Sequence, residues 1–136
     1  MADSLEAQQI KKTIEFLKEK LAPDFIWLFG SGAKGTLNPE SDIDLAFFSD
    51  ARFDSYQVFM IAQELAELLG REVDLIDLRK ASTVMKAQIV GQGRLIHEQD
   101  PLKRMNFAMM AFKEYALLNE ERQAILEQFV QPEVKP

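Results

Sequence analysis

Phe25-Ile26-Trp27-Leu28-Phe29-Gly30-Ser31-Gly32-Ala33-Lys34-Gly35-Thr36-Leu37-Asn38-Pro39-Glu40-Ser41-Asp42-Ile43-Asp44-Leu45-Ala46-Phe47-Phe48 is the stretch on which the fold turns. Phe25–Phe29 is a continuous apolar run of strand length and reads as a buried strand. Gly30-Ser31-Gly32 breaks it sharply. Residues 32–41 hold two glycines and Pro39 and read as a turn with one short helical turn. Asp42–Phe48 reads as a second strand. Side chains alternate along a strand, so Asp42 and Asp44 share one face while Ile43 and Leu45 point the other way. Two like charges on one face are destabilising unless something offsets them. A divalent cation is the simplest offset, and oxygen-only ligands favour magnesium or manganese. The glycine-rich turn offers backbone N–H groups of the kind that suit a phosphate.

Outward from this stretch, helices and strands interleave. Residues 4–21 read as a helix with the apolar stripe Ile10, Ile14, Leu17 and Leu21, ended by Pro23. Asp3 and Glu6 have capping-box spacing. Ser55–Leu69 reads as an amphipathic helix with Val58, Ile61, Leu65 and Leu68 inward and Gly70 as its stop. Glu72–Asp77 reads as a third strand, 82–90 as a helix stopped by Gly91 and Gly93, and Arg94–His97 as a short fourth strand. Asp100-Pro101 is a helix start, and one long helix or two fill 101–130. This order predicts an α/β (α+β) domain: a small mixed sheet flanked by helices, with a helical C-terminus.

Composition narrows the chemistry. The chain has 136 residues and no cysteine, which excludes a disulfide framework, a thiol nucleophile and cysteine-ligated metal. One histidine excludes a His-rich metal site. The net charge of −6 disfavours direct nucleic-acid binding. Acidity is concentrated in residues 38–77, where ten acids stand against Arg52 and Arg71. No apolar run is long enough to span a membrane, and the acidic N-terminus does not resemble a signal peptide, so the expected compartment is the cytoplasm.

Gly30-Ser31, followed at a ten-residue interval by Asp42-Ile43-Asp44, resembles the signature of the polymerase-β-like nucleotidyltransferase superfamily. The Gly-Ala-Lys-Gly after the serine and Ser41-Asp42-Ile43-Asp44-Leu45 look like its minimal nucleotidyltransferase (MNT) branch, many of whose members are the antitoxin half of HEPN–MNT toxin–antitoxin pairs. Where members often carry arginine directly after Gly-Ser and again two positions later, this chain has Gly32 and Lys34. The resemblance implies a polymerase-β-like fold, with residues 1–100 as the nucleotidyltransferase core and 101–136 as a helical extension packed on it. It implies catalytic and metal-binding roles for Asp42, Asp44 and a third carboxylate from a later strand. Asp74 matches that position by its Val-Asp-Leu context; Asp77 and Glu72 are the alternatives. Gly30, Ser31, Gly32 and Lys34 fall at the nucleotide-binding positions. The implied reaction is transfer of AMP from ATP, with two Mg2+ ions, to a tyrosine hydroxyl of a HEPN ribonuclease toxin, which is thereby silenced. The rivals are a small-molecule, aminoglycoside-like nucleotidyltransferase and a non-catalytic module that neutralises a toxin by occlusion.

Three other features carry expectations. Trp27 reads as core and His97 as a solvated histidine. Met105, Phe107, Met109, Met110, Phe112, Tyr115, Leu117 and Leu118 are too many for one apolar stripe. The surplus, rich in adaptable methionine, points to a protein partner or a homo- or hetero-oligomer through the C-terminal helix.

Overall fold

The computed structural model describes residues 4–34 and 41–129. In chain order they form α1 (Ser4–Leu21), β1 (Phe25–Phe29), a 3-10 turn (Gly30–Lys34), β2 (Ile43–Phe48), α2 (Ser55–Leu69), β3 (Val73–Asp77), α3 (Thr83–Gln92), β4 (Arg94–Glu98) and α4 (Pro101–Phe129). The sheet order is β3-β2-β1-β4. β1 is antiparallel to both β2 and β4, while β2 and β3 run parallel and are joined by α2. A parallel pair needs such a crossover, and helix α2 supplies it.

Alternation along the strands divides the core in two. Leu28, Ile43, Leu45 and Phe47 face Leu17 and Leu21 of α1 and Val58, Leu65 and Leu69 of α2. Phe25, Trp27 and Ala46 face Ile89 of α3 and Phe107 of α4. On that second face Phe25 stacks on Phe48 with ring centroids 5.1 Å apart, and meets Trp27 edge-on at 5.2 Å and Phe107 at 5.3 Å. Trp27 is therefore core, as its place mid-run predicts. Lys103 fastens the start of α4 to the sheet, pairing with Asp24 at 3.1 Å and with Asp50 just after β2.

The helix ends follow local rules, with some departures from the sequence reading. Gly70 ends α2 in the left-handed region at φ 72°. Asp100 Oδ1 accepts the Leu102 N–H at 3.1 Å, the cap expected before Pro101, and α4 runs as a single helix. Asp3 of the expected capping box lies outside the described residues, and Glu6 pairs instead with Arg94 at 2.7 Å. A capping box does occur at α2, where Asp54 and Gln57 exchange hydrogen bonds of 2.7 and 2.9 Å. The buried stripe of α2 is Val58, Ala62, Leu65 and Leu69; Leu68 is exposed. The small Ala62 continues that stripe one turn past Val58 and sets its phase. Gly91 does not end α3. It lies inside the helix, where an added Cβ would stand 3.6 Å from the Phe112 ring, and the helix closes at Gly93. His97 is half-buried rather than solvated: its Nε2 is shielded without a partner, and burial, then Lys18, push its pKa down.

α4 touches α3, and the sheet through Phe107, in its first half, whereas residues 119–129 are exposed. Among the described residues no helix is long and apolar enough to cross a membrane. Because Phe107 is the ring that ties α4 to Phe25, Trp27 and Phe48, Phe107→Ala is expected to cost about 3 kcal/mol, as large-to-small changes in cores do. Urea denaturation should show one cooperative transition at a lower midpoint. Two separate transitions would contradict packing of α4 into the common core.

Candidate active site

The site is built where β1 ends and β2 and β3 begin. The parallel register sets Asp44 beside Asp74, and the Ile43 N–H donates to the Glu72 carbonyl at 2.9 Å just ahead of them. Residues in register on parallel strands project to the same side. Ala46 and Ile76, the next residues on that side, pack toward α3 and α4, so both carboxylates emerge on that face. Asp42 stands two residues earlier and is near enough for its charge to act on Asp44. Asp42 and Asp74 are exposed and Asp44 is half-buried.

Asp74 and Asp42 raise the cost of ionising Asp44. The Asp44 pKa is pushed up from 3.8 to about 6, first by burial, then by the charges of Asp74 and Asp42 and by a hydrogen bond shared with Asp74. Burial and like charge both disfavour the ionised form.

On the other side of Asp44 lies Phe29, the last residue of β1, and then Gly30. Gly30 has φ 66°, and a Cβ built there would collide with Asp44 Oδ2. The glycine thus serves two needs at once: it turns the chain in the left-handed region and lets the backbone lie directly against the carboxylate. Gly32 is packed as closely over Leu28, whose Cγ would be 2.9 Å from an added Cβ. The helical turn begins at Gly30 itself, immediately after the strand, rather than within residues 32–41. The side chains of Ser31 and Lys34 and all of residues 35–40 lie outside the described part.

The alternatives to Asp74 fall elsewhere. Asp77 pairs in register with Phe47, is 8% exposed, and its Oδ1 accepts the Arg79 N–H at 3.0 Å. It caps the turn after β3. Glu72 precedes the strand and is exposed. Among the described residues no three His, Cys, Asp or Glu side chains already converge on one point as a finished cation cage. The donor set nonetheless fits a hard divalent ion: all its atoms are carboxylate oxygens, and its mutual repulsion is what such a charge relieves.

Among the described residues, two grooves flank the sheet. One of about 770 Å³ lies between α1 and β4 at the far edge, lined by Ile10, Ile14, Arg94 and Ile96, and no member of the carboxylate trio borders it. The other, of about 450 Å³, lies between α2 and β3 and includes Asp74 in its wall with Val58, Phe59 and Ala62. Hydrophobic periodicity gives no signal of this second groove, because Phe59 stands off the buried stripe of α2 and the groove exists only once β3 is an edge strand.

A Gly-Ser turn set against paired strand carboxylates is the arrangement of a nucleotidyltransferase. The chain matches the "Polymerase beta, Nucleotidyltransferase" family model over residues 11–102 and belongs to that family of enzymes. Within it, the chain is 38% identical over 120 residues to the protein adenylyltransferase MntA of Shewanella oneidensis, covering 85% of this chain and 84% of that protein. It is also 36% identical over 69 residues to a putative protein adenylyltransferase of Methanocaldococcus jannaschii, covering 49% of this chain and 69% of the relative. Similar solved structures include a toxin–antitoxin complex with AMP-PNP, at TM-score 0.80 and 36% identity over 88% of this chain and 97% of that one. Another is a tri-AMPylated Shewanella oneidensis HEPN toxin with its MNT antitoxin, at TM-score 0.77 and 33% identity over 90% and 97% of the two chains.

The raised Asp44 pKa makes a test in the metal-free protein. A folded-state value above the unfolded one means that folding favours the protonated form, so stability is lost as pH rises through about 6. Asp44→Asn removes the charge that causes the loss. It should raise the thermal midpoint clearly at pH 8 and much less at pH 5, in the presence of a chelator. An equal rise at both pH values would contradict the repulsion.

Proposed function

We propose that this chain transfers AMP from ATP to a tyrosine hydroxyl of a partner HEPN ribonuclease toxin and acts as its antitoxin in the cytoplasm. The observation that carries this reading is Asp44 held between Asp74 and the Gly30 turn, in a chain similar over most of its length to MntA. The similarity extends to the HEPN-bound antitoxin structure, which favours a protein acceptor over a small molecule. Residues 1–100 form the catalytic core and 101–136 the helical extension.

In this account the N–H groups of the Gly30–Gly32 turn, Ser31 and Lys34 hold the β- and γ-phosphates. Asp42, Asp44 and Asp74 hold two Mg2+ ions, which when bound supply positive charge to the phosphates and bring the Asp44 pKa down. Asp74, exposed at the edge strand, accepts the proton of the acceptor hydroxyl. The hydroxyl oxygen forms its bond to the α-phosphorus as the bond from that phosphorus to the bridging oxygen breaks, and pyrophosphate leaves. The half-buried Asp44, braced by Gly30, positions the reacting groups rather than moving a proton.

Binding of the toxin is assigned to α4, whose Met109, Met110 and Phe112 are exposed and belong to a different element from the carboxylates. Catalysis and docking are therefore separable. With Mg2+, ATP and a HEPN partner, intact-mass measurement should show the partner gaining whole AMP units with the wild-type chain. Asp42→Asn/Asp44→Asn should still bind the partner yet add no mass. Met109→Lys/Phe112→Lys should weaken partner binding by on the order of 1–3 kcal/mol per buried side chain while leaving Mg·ATP binding intact. If the double Asn variant protects cells as well as wild type at matched expression, occlusion and not transfer neutralises the toxin.

A further inference from the structure

We infer that the acceptor does not meet Asp74 as an isolated side chain but as an extended, basic polypeptide segment that lies in the α2–β3 groove and pairs with the free edge of β3. This inference deepens the proposed function and rests on its assignment of a protein acceptor.

The backbone of β3 supplies the first observation. The Ile43 N–H donates to the Glu72 carbonyl and the Leu78 N–H to the Phe47 carbonyl, each at 2.9 Å, which fixes the phase of the β2–β3 ladder. In a parallel ladder of that phase Asp74 and Ile76 turn their N–H and C=O groups toward β2. Val73 and Leu75 then turn theirs outward, because among the described residues β3 is the last strand of the sheet. An unpaired strand edge is a template for another extended chain.

The groove supplies the second. Its volume of about 450 Å³ runs from Glu72 along the whole of β3 and is walled on the far side by Val58, Phe59 and Ala62 of α2. Phe59 leaves 57% of its surface in solvent although it lies beside an apolar wall. Continuity with the carboxylates is direct, since Asp74 belongs both to the groove and to the trio. A chain laid along β3 thus passes the group assigned to take the hydroxyl proton.

Charge selects the segment. Glu72 just before the edge strand and Asp74 on it are exposed, and the cation lining the groove, Lys80, already has its Nζ donating to the Phe53 carbonyl at 2.6 Å. An acidic edge favours a segment whose residues flanking the tyrosine are lysine or arginine and disfavours an acidic one. Backbone pairing fixes the register, and Phe59 provides an apolar seat for one side chain of the segment.

The experiment uses the full chain with Mg2+, ATP and a HEPN partner. Phe59→Glu changes an exposed helix position outside the carboxylate trio, and Leu75→Pro removes an outward N–H that the ladder with β2 does not use. Each should raise the KM for the protein acceptor by about tenfold or more, as loss of a central contact in an interface does. Mg·ATP affinity should stay as in wild type. A photoreactive phenylalanine analogue at position 59 should cross-link the tyrosine-bearing segment of the partner, located by peptide mass mapping. Unchanged KM in Phe59→Glu, with cross-links only to other parts of the partner, overturns the inference even if wild type transfers AMP. If wild type transfers none, the proposed function fails, and the cross-link alone decides whether the groove holds that segment. Should Leu75→Pro not fold, Phe59→Glu and the cross-link carry the test.

Discussion

The pairing of Asp44 with Asp74 across the parallel β2–β3 register is the constraint on which the rest depends. Like charges at neighbouring strand positions oppose folding, and here they are set together by backbone hydrogen bonds that cannot shift by one residue. A slip would carry Ile43, Leu45 and Phe47 out of the core at the same time. The hydrophobic pattern of β2 therefore holds in place a charge cluster that its own electrostatics would disperse. α2 provides the crossover that makes the pair parallel, and its stripe of Val58, Ala62, Leu65 and Leu69 anchors that crossover to the sheet. Gly30 closes the cluster from the third side, since no other residue leaves room for the Asp44 carboxylate. On the proposed function, this cluster becomes favourable when counter-charge arrives with the nucleotide.

The same architecture carries two unlike surfaces. The aromatic group of Phe25, Trp27, Phe48 and Phe107 fills the middle of the α3/α4 face and seats the first half of α4. Beyond it, α4 projects with Ile125, Leu126 and Phe129 exposed, together with Met109 and Met110 nearer the core. Apolar surface of that extent is expensive to leave in water, whereas the carboxylate end of the sheet is strongly acidic. On the proposed function, a protein acceptor is gripped at one of these surfaces and modified at the other.

Much of this was legible in the sequence for identifiable reasons. Phe25–Phe29 and Ile43–Phe48 are apolar runs bounded by glycine, proline and acid, so strand character and the shared face of Asp42 and Asp44 followed from alternation. The preference for Asp74 over Asp77 rests on family resemblance, and Asp77 has its own structural task in accepting the Arg79 N–H. What was not legible depended on packing between distant elements. Gly91 looks like a helix stop, yet α3 tolerates it because Phe112 packs there. Leu68 and Leu69 differ by a single residue of helical phase, settled by how α2 sits on β3. His97 reads as solvated in the sequence because nothing in its neighbours reveals that the ring turns inward beside Pro23. The contact between Gly30 and Asp44 joins residues 14 apart (44 − 30) across two antiparallel strands, and only the register brings them together.

The central claim is that Asp44 is held in a repulsive trio which the arrival of metal and nucleotide relieves. Its most direct test is the titration of the Asp44 side-chain carboxyl by carbon-detected NMR, first with a chelator and then with Mg2+ and a non-hydrolysable ATP analogue. The account predicts a midpoint near 6 in the metal-free protein and a fall to below the ordinary aspartate value of about 3.9 when both are bound. A midpoint at the ordinary value without metal, or one that does not move when magnesium and the analogue are added, would contradict it.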